Sequence, residues 1–159
     1  MRRARHSRRA ARGFTLVELL VALAVLGIGM LGIAKLFVVT LQGNASATSR
    51  LYAVNLAADL ADRIRANRSA GIAYAGAAAN NNCNGQALGA VTCTPAQMAA
   101  NDLFLWQQQV AQTWPGGGAA GAVAFVAGAV NTPNTYTITI TWTEQGTGQA
   151  LNYALNVQI

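Results

Sequence analysis

Three sets of residues carry whatever chemistry this chain can do. They are a carboxylate, Glu18, set in an apolar run, a pair of cysteines, Cys83 and Cys93, and the acids and serines scattered over the rest. The apolar run, residues 14–34, reads FTLVELLVALAVLGIGMLGIA, and Glu18 is its only ionisable side chain. A carboxylate in a membrane-length helix costs about 2.5–3.5 kcal/mol at the helix centre on insertion scales, and less near an end. Such a residue is functional by default and needs a partner. The cysteines lie in a polar stretch containing Asn and Gly. Metal ligation there would need further donors, but the only histidine is His6 and no acid lies near the pair. If the domain is exported, a disulfide closing this short loop is expected, with a stabilisation of roughly 2–3 kcal/mol. Two buried free thiols are the alternative. Ser46, Ser49 and Ser69 have no histidine to activate them beyond His6 in the first thirteen residues, the acids are not clustered, and there is no phosphate loop. Serine-histidine and metal-dependent mechanisms therefore lack candidate residues, and the expectation is a non-enzyme without metal or cofactor.

The charge distribution has to be located before it is interpreted. The 159 residues suggest one compact domain plus the apolar segment. Only 10% are charged, against about 25% in ordinary soluble domains. The formal charge of +6 invites a nucleic-acid reading, yet Arg2, Arg3, Arg5, Arg8, Arg9 and Arg12 all fall in the first thirteen residues. Of eleven basic residues this leaves Lys35, Arg50, Arg63, Arg65 and Arg68, balanced by Glu18, Asp59, Asp62, Asp102 and Glu144. The body is formally neutral, so no nucleic-acid partner is expected.

At 1.5 Å per residue the apolar run spans about 30 Å as a helix, the thickness of a bilayer core. Lys35 interrupts it, and Leu36, Phe37, Val38, Val39 and Leu41 continue it. Arginines before the run and few charges after it put the N-terminus in the cytoplasm and the remainder outside the inner membrane. A plain single-pass anchor would satisfy these facts. A secretory signal cleaved near Ala45-Ser46-Ala47 fits less well. Its apolar core would exceed the usual 7–15 residues and its cut would lie far beyond that core. Neither reading uses Glu18.

The residues Gly13-Phe14-Thr15-Leu16-Val17-Glu18 resemble the signature of type IV prepilins. The resemblance implies that a prepilin peptidase cuts after Gly13 on the cytoplasmic side and methylates the new N-terminus, Phe14. It assigns Glu18 as the assembly carboxylate. The physics agrees, because cleavage leaves a cationic amine on Phe14 and N-methylation preserves that charge. Between packed helices, one subunit's Glu18 can pair with a neighbour's amine at low dielectric, which favours one axial register. Major pilins often carry a proline within the run. Here Gly27, Gly29 and Gly32 stand instead. Each glycine weakens helix propensity by about 1 kcal/mol and permits close helix contacts.

A narrower likeness extends further along the chain. The segment 13–36, Asn55–Asp59, Arg63–Asn67, Asp102, Trp106, Pro115-Gly116-Gly117 and the 136–142 stretch are similar to the PilV family of minor pilins, the type IV pilus modification proteins. That likeness implies a low-abundance subunit that helps initiate pilus assembly with other minor pilins and the major pilin at an inner-membrane assembly platform. It also implies a role in pilus biogenesis, twitching motility and attachment, with incorporation into the extracellular pilus. A minor pseudopilin of a type II secretion system shares the N-terminal features and is the first alternative. A membrane-tethered periplasmic binding module is the second, and would make Glu18 incidental.

The elements that must position these residues follow from periodicity. One helix is expected from about Phe14 to Arg68, with Gly27, Gly29, Gly32 and Gly43-Asn44 as the places where it could break. Past the anchor, Leu51, Val54, Ala58, Ala61 and Ile64 recur at spacings of three and four as an apolar stripe for the domain. Asp59 precedes Arg63 by four and Asp62 precedes Arg65 by three, supportive pairs read as a solvated helix face. The pattern fades at Asn67-Arg68-Ser69-Ala70-Gly71, and residues 71–94 read as a loop carrying the cysteines. Thr94-Pro95 is an N-cap and first-turn pair. Ala99, Leu103, Trp106, Val110 and Trp114 then share a face of a second helix that stops before Pro115-Gly116-Gly117-Gly118. Residues 122–130 suggest a strand diluted by alanines. In 135–143, Tyr136, Ile138, Ile140 and Trp142 alternate with threonines. After the turn Gln145-Gly146-Thr147-Gly148, residues Leu151, Tyr153, Leu155, Val157 and Ile159 alternate again. The expected class is α+β and pilin-like, a long N-terminal helix packed on an antiparallel sheet of three or four strands, with a shorter second helix. Its segments would be a leader (1–13), a transmembrane and polymerisation helix (14–41), an amphipathic continuation (42–70) and a periplasmic domain (71–159).

Overall fold

The computed structural model describes residues 13–83, 92–114, 117–145 and 147–159. The six leader arginines, Pro115 and Gly116 of the expected helix stop, and Gly146 of the expected turn lie outside the described residues. Among these, the order is α1 (Leu16–Ala66), a 3-10 helix (Arg68–Ala75), α2 (Pro95–Thr113), β1 (Ala120–Val126), β2 (Thr135–Thr143) and β3 (Ala150–Gln158). The arrangement is α+β and pilin-like, as the periodicity predicts. The chain divides into two compact units, 1–41 and 42–159.

Helix α1 runs for 51 residues without interruption, as one long helix was expected to, and passes through Gly27, Gly29, Gly32 and Gly43, where it could have broken. Within the first unit it is apolar on all sides. Its large hydrophobic side chains there are between 54% exposed at Val38 and 78% at Leu16. The surrounding medium must supply their contacts, since a water-exposed apolar surface of this extent is not found on soluble monomers. This helix is long and apolar enough to cross a membrane.

In the second unit the buried face of α1 is Ala53, Leu56, Ala57, Leu60, Ala61 and Ile64. The expected stripe is thus corrected. Ala61 and Ile64 are buried, but Leu51, Val54 and Ala58 are exposed. Ala53, Ala57 and Ala61 recur every fourth residue and let the backbone approach its neighbours closely. The larger Leu51 and Val54 would hold it away.

The stretch after α1 is also structured where a loop was expected. Arg68–Ala75 forms a 3-10 helix bent at Gly71, whose φ of 52° lies in the left-handed region that favours glycine. It carries Tyr74 into the core at 0% exposure. Helix α2 starts where Thr94-Pro95 predicts, and Gln97 completes a capping box. The Thr94 hydroxyl accepts from the Gln97 amide at 3.3 Å, and the Gln97 side chain accepts from the Thr94 amide at 2.9 Å.

The sheet has three antiparallel strands in the order β1-β2-β3. In its register Tyr136 faces Phe125 on β1 and Val157 on β3. Strand β2 has the expected bounds, whereas β1 occupies Ala120–Val126 rather than 122–130. Alanine and glycine carry little strand signal, so tertiary pairing set these ends. Tyr136, Ile138, Ile140 and Trp142 of β2 point into one core with the α1 and α2 faces. Trp106 sits in that core at 0% exposure, its indole N–H donating to the Leu56 carbonyl at 2.8 Å. Gly121 on β1 lies directly on the Trp106 ring, leaving no room for a Cβ. Trp114 and Trp142 stack with centroids 5.6 Å apart, and Tyr52 meets Trp114 edge-on at 6.3 Å. Trp106 of α2 and Trp114, which caps its end, are core anchors, as their spacing suggests.

Candidate functional site

The site the sequence singles out is the entry to α1. Gly13 and Phe14 precede the helix and are exposed. Thr15 then caps it. Its hydroxyl accepts from the Glu18 amide at 3.3 Å, and its carbonyl accepts from the Leu19 amide at 3.3 Å. Glu18 therefore lies in the first turn, where a carboxylate also complements the helix dipole. Its side chain is exposed and forms no ion pair with any described residue. Thr15 was not singled out from the sequence, although Thr-x-x-Glu ahead of an apolar run is a recognisable capping signature.

A second constellation fixes the start of the head around the disulfide. Cys83 and Cys93 are bonded to each other, and no described cysteine is free. The segment leading to Cys83 is stitched along α2. The Ala79 amide donates to the Ala100 carbonyl at 3.0 Å, and the Asn81 side chain donates to the Gln97 carbonyl at 2.9 Å. The Asn81 amide donates at 3.0 Å to Asn101, a polar residue 1% exposed. Asn67 donates across to the Pro95 carbonyl at 2.9 Å.

Beside this lies a charged network that periodicity showed only in part. The expected helix pairs are present, Arg63 with Asp59 at 3.0 Å and Arg65 with Asp62 at 2.7 Å. Arg63 also reaches Asp102 on α2 at 3.4 Å, and the Tyr74 hydroxyl donates to the other Asp102 oxygen at 2.8 Å. Burial, and next the hydrogen bond to Asp102, push the Tyr74 hydroxyl well above the usual tyrosine range. Burial alone raises Tyr136, whose hydroxyl donates to the Gly71 carbonyl at 3.2 Å. Arg63, Asp102 and Tyr74 lie on three separate elements, so no local pattern announces them. The chemistry here is structural: it ties α1, the 3-10 helix and α2 together. Among the described residues no group of three or more His, Cys, Asp or Glu side chains could hold a metal.

An uninterrupted apolar helix with a capped, acidic first turn, leading into an α+β head, defines a class of membrane-anchored filament subunits. The comparisons agree at both ends of that description. Residues 8–34 match the prokaryotic N-terminal methylation motif, and residues 36–104 match the type IV pilin Tt1218 family model. These two matches support a type IV pilin. No curated protein and no solved structure matches it. The family is structural rather than enzymatic, and its members are processed by prepilin peptidase and assemble with other pilins. The apolar helix and the motif fit a single-pass inner-membrane anchor.

Proposed function

We propose that this chain is a minor pilin of the PilV kind, which helps initiate type IV pilus assembly with other minor pilins and the major pilin. The observation that carries this reading is the exposed Glu18 carboxylate, without an ion-pair partner among the described residues, in the first turn of a helix whose N-terminal half is almost wholly apolar. In this reading prepilin peptidase cuts between Gly13 and Phe14 and methylates the Phe14 amine. The subunit is held in the inner membrane, N-terminus inward and head in the periplasm. Extraction into the filament brings a neighbour's Phe14 ammonium against Glu18. Each charge alone would be costly among packed helices, so only the register that pairs them is favourable. The disulfide suits an oxidising compartment.

Deletion of the gene tests the reading against a role in secretion. Surface pili and twitching are expected to fall while protein export through the type II system is unchanged. Loss of export with normal piliation would make the chain a pseudopilin instead.

A further inference from the structure

Strand β3 is one of the two outer strands of the sheet, and nothing described pairs with its free edge. It runs nine residues in unbroken register with β2, and its sequence, ALNYALNVQ, has no charge and no proline. Proteins that stay alone blunt such an edge with charge, proline, a bulge or a covering segment. Its core-side residues are also less covered than those of β2. Leu151, Tyr153 and Leu155 are half-buried, whereas Tyr136, Ile138 and Ile140 are fully buried.

Beside this edge is a groove of about 320 Å³ lined by Arg50, Val54, Trp142, Leu151, Asn152 and Tyr153. Its walls are mainly apolar, and it includes part of the α1 face left outside the core. Arg50 is its one cation and forms no ion pair within 4 Å among the described residues. Glu144 senses the Arg50 charge, but its own hydrogen bonds come from Ser46 and Thr147. The Trp142 indole N–H is buried without a hydrogen-bond partner.

We propose that this edge and groove receive an extended segment of a different pilin subunit, which adds along β3 as a fourth strand and sets a carboxylate against Arg50. The inference rests on the reading that the chain assembles with other pilins. A row of unpaired amides and carbonyls selects an extended polypeptide, as in strand addition to a sheet edge. Arg50 selects an acidic side chain within that segment. A second copy of this chain fits poorly, because its own edge strands, AGAVAFV and ALNYALNVQ, contain no acid.

The test places the photo-cross-linking residue p-benzoylphenylalanine at Asn152 of the full-length chain, in cells making the filament. Separate strains carry it at Ala154, in case bulk at Asn152 blocks docking, and at Leu31 in the anchor. The Asn152 or Ala154 adduct is expected to map to an acid-containing strand of another pilin. Arg50→Glu should lower that adduct about tenfold or more, Arg50→Lys should retain it, and the Leu31 adducts should not change. Resistance of the head to added protease shows that each variant folds. Adducts only to lipid, to a helix or to another copy of this chain would overturn the proposal. So would adducts insensitive to Arg50→Glu, or none at β3 while Leu31 still cross-links to other pilins. Loss of adducts at all three positions would instead remove the pilin-assembly reading, and the β3 proposal with it.

Discussion

Thr15 and Glu18 could serve only the helix they begin, since a threonine cap with an acid three residues on stabilises a helix start. The two roles separate by substitution. Thr15→Ala removes a cap at a cost of about 1 kcal/mol, a small loss for a 51-residue helix. It should leave incorporation into sheared pili near normal. Glu18→Ala and Glu18→Gln both remove the charge and should spare leader processing while sharply reducing incorporation, as read by immunoblot of sheared pili. Normal piliation in Glu18→Gln would leave capping as the residue's only role. At the head, Tyr74 donates to a carboxylate, and Tyr74→Phe should cost roughly 1.5–3 kcal/mol at neutral pH. Tyr74 also sets an alkaline limit. Its folded pKa is raised, so the folded chain holds that proton more tightly than the unfolded chain, whose tyrosines titrate near 10. The associated stability is complete below about pH 10 and declines as pH rises above it. Denaturation followed against pH should show this slope reduced in Tyr74→Phe, and reduced further when Tyr136→Phe is added, because burial raises that group too.

Among the elements, legibility followed the strength of the periodic signal. Strand β2 was readable residue by residue because large β-branched and aromatic residues alternate with threonine. The start of α2 was readable because Thr94-Pro95 is a distinctive entry. The buried face of α1 was misread where alanines offered two overlapping stripes. Counting large side chains selects Leu51 and Val54, but close packing selected Ala53 and Ala57. The 3-10 helix has no apolar period, and the Arg63–Asp102 pair spans 39 residues. Both depend on tertiary contacts that no window of sequence contains. The methylation motif was legible because its pattern is local: Gly13, Phe14 and Glu18 fall within six residues. The close approach of β1 to α2 yields a further expectation. A Cβ at Gly121 would overlap the buried Trp106 ring, whose indole is held by the Leu56 carbonyl. Gly121→Ala should therefore destabilise the head by about 1–3 kcal/mol, the usual range for overpacking. The midpoint of urea unfolding, followed by tryptophan fluorescence, measures it. An unchanged midpoint would mean that the sheet can shift away from α2.

Over the whole molecule, the decisive quantity is where the charge sits before and after the proposed cleavage. The intact chain has formal charge +6, and six arginines precede Gly13. In the proposed topology those arginines would hold the N-terminus in the cytoplasm, but the same cluster would be incompatible with a filament interior. Carrying it among packed apolar helices would desolvate several like charges at once. An uncut subunit also has an amide at Phe14 instead of an ammonium, so a neighbour's Glu18 would meet no cation. Blocking cleavage and removing Glu18 should therefore converge on one phenotype by different routes. Gly13→Ile, chosen to put a bulky branched residue at the proposed cut, is expected to leave the chain at its unprocessed mass, membrane-bound and absent from sheared pili. Glu18→Ala is expected to show the processed, methylated mass and the same absence. Combining them should lower piliation no further than Gly13→Ile alone, because one pairing is lost in both. Intact mass of the membrane-bound chain, with immunoblots of membrane and sheared-pilus fractions, distinguishes the three strains. Unprocessed Gly13→Ile chain in sheared pili would show that the filament tolerates the leader, and the charge pairing would then not set the register.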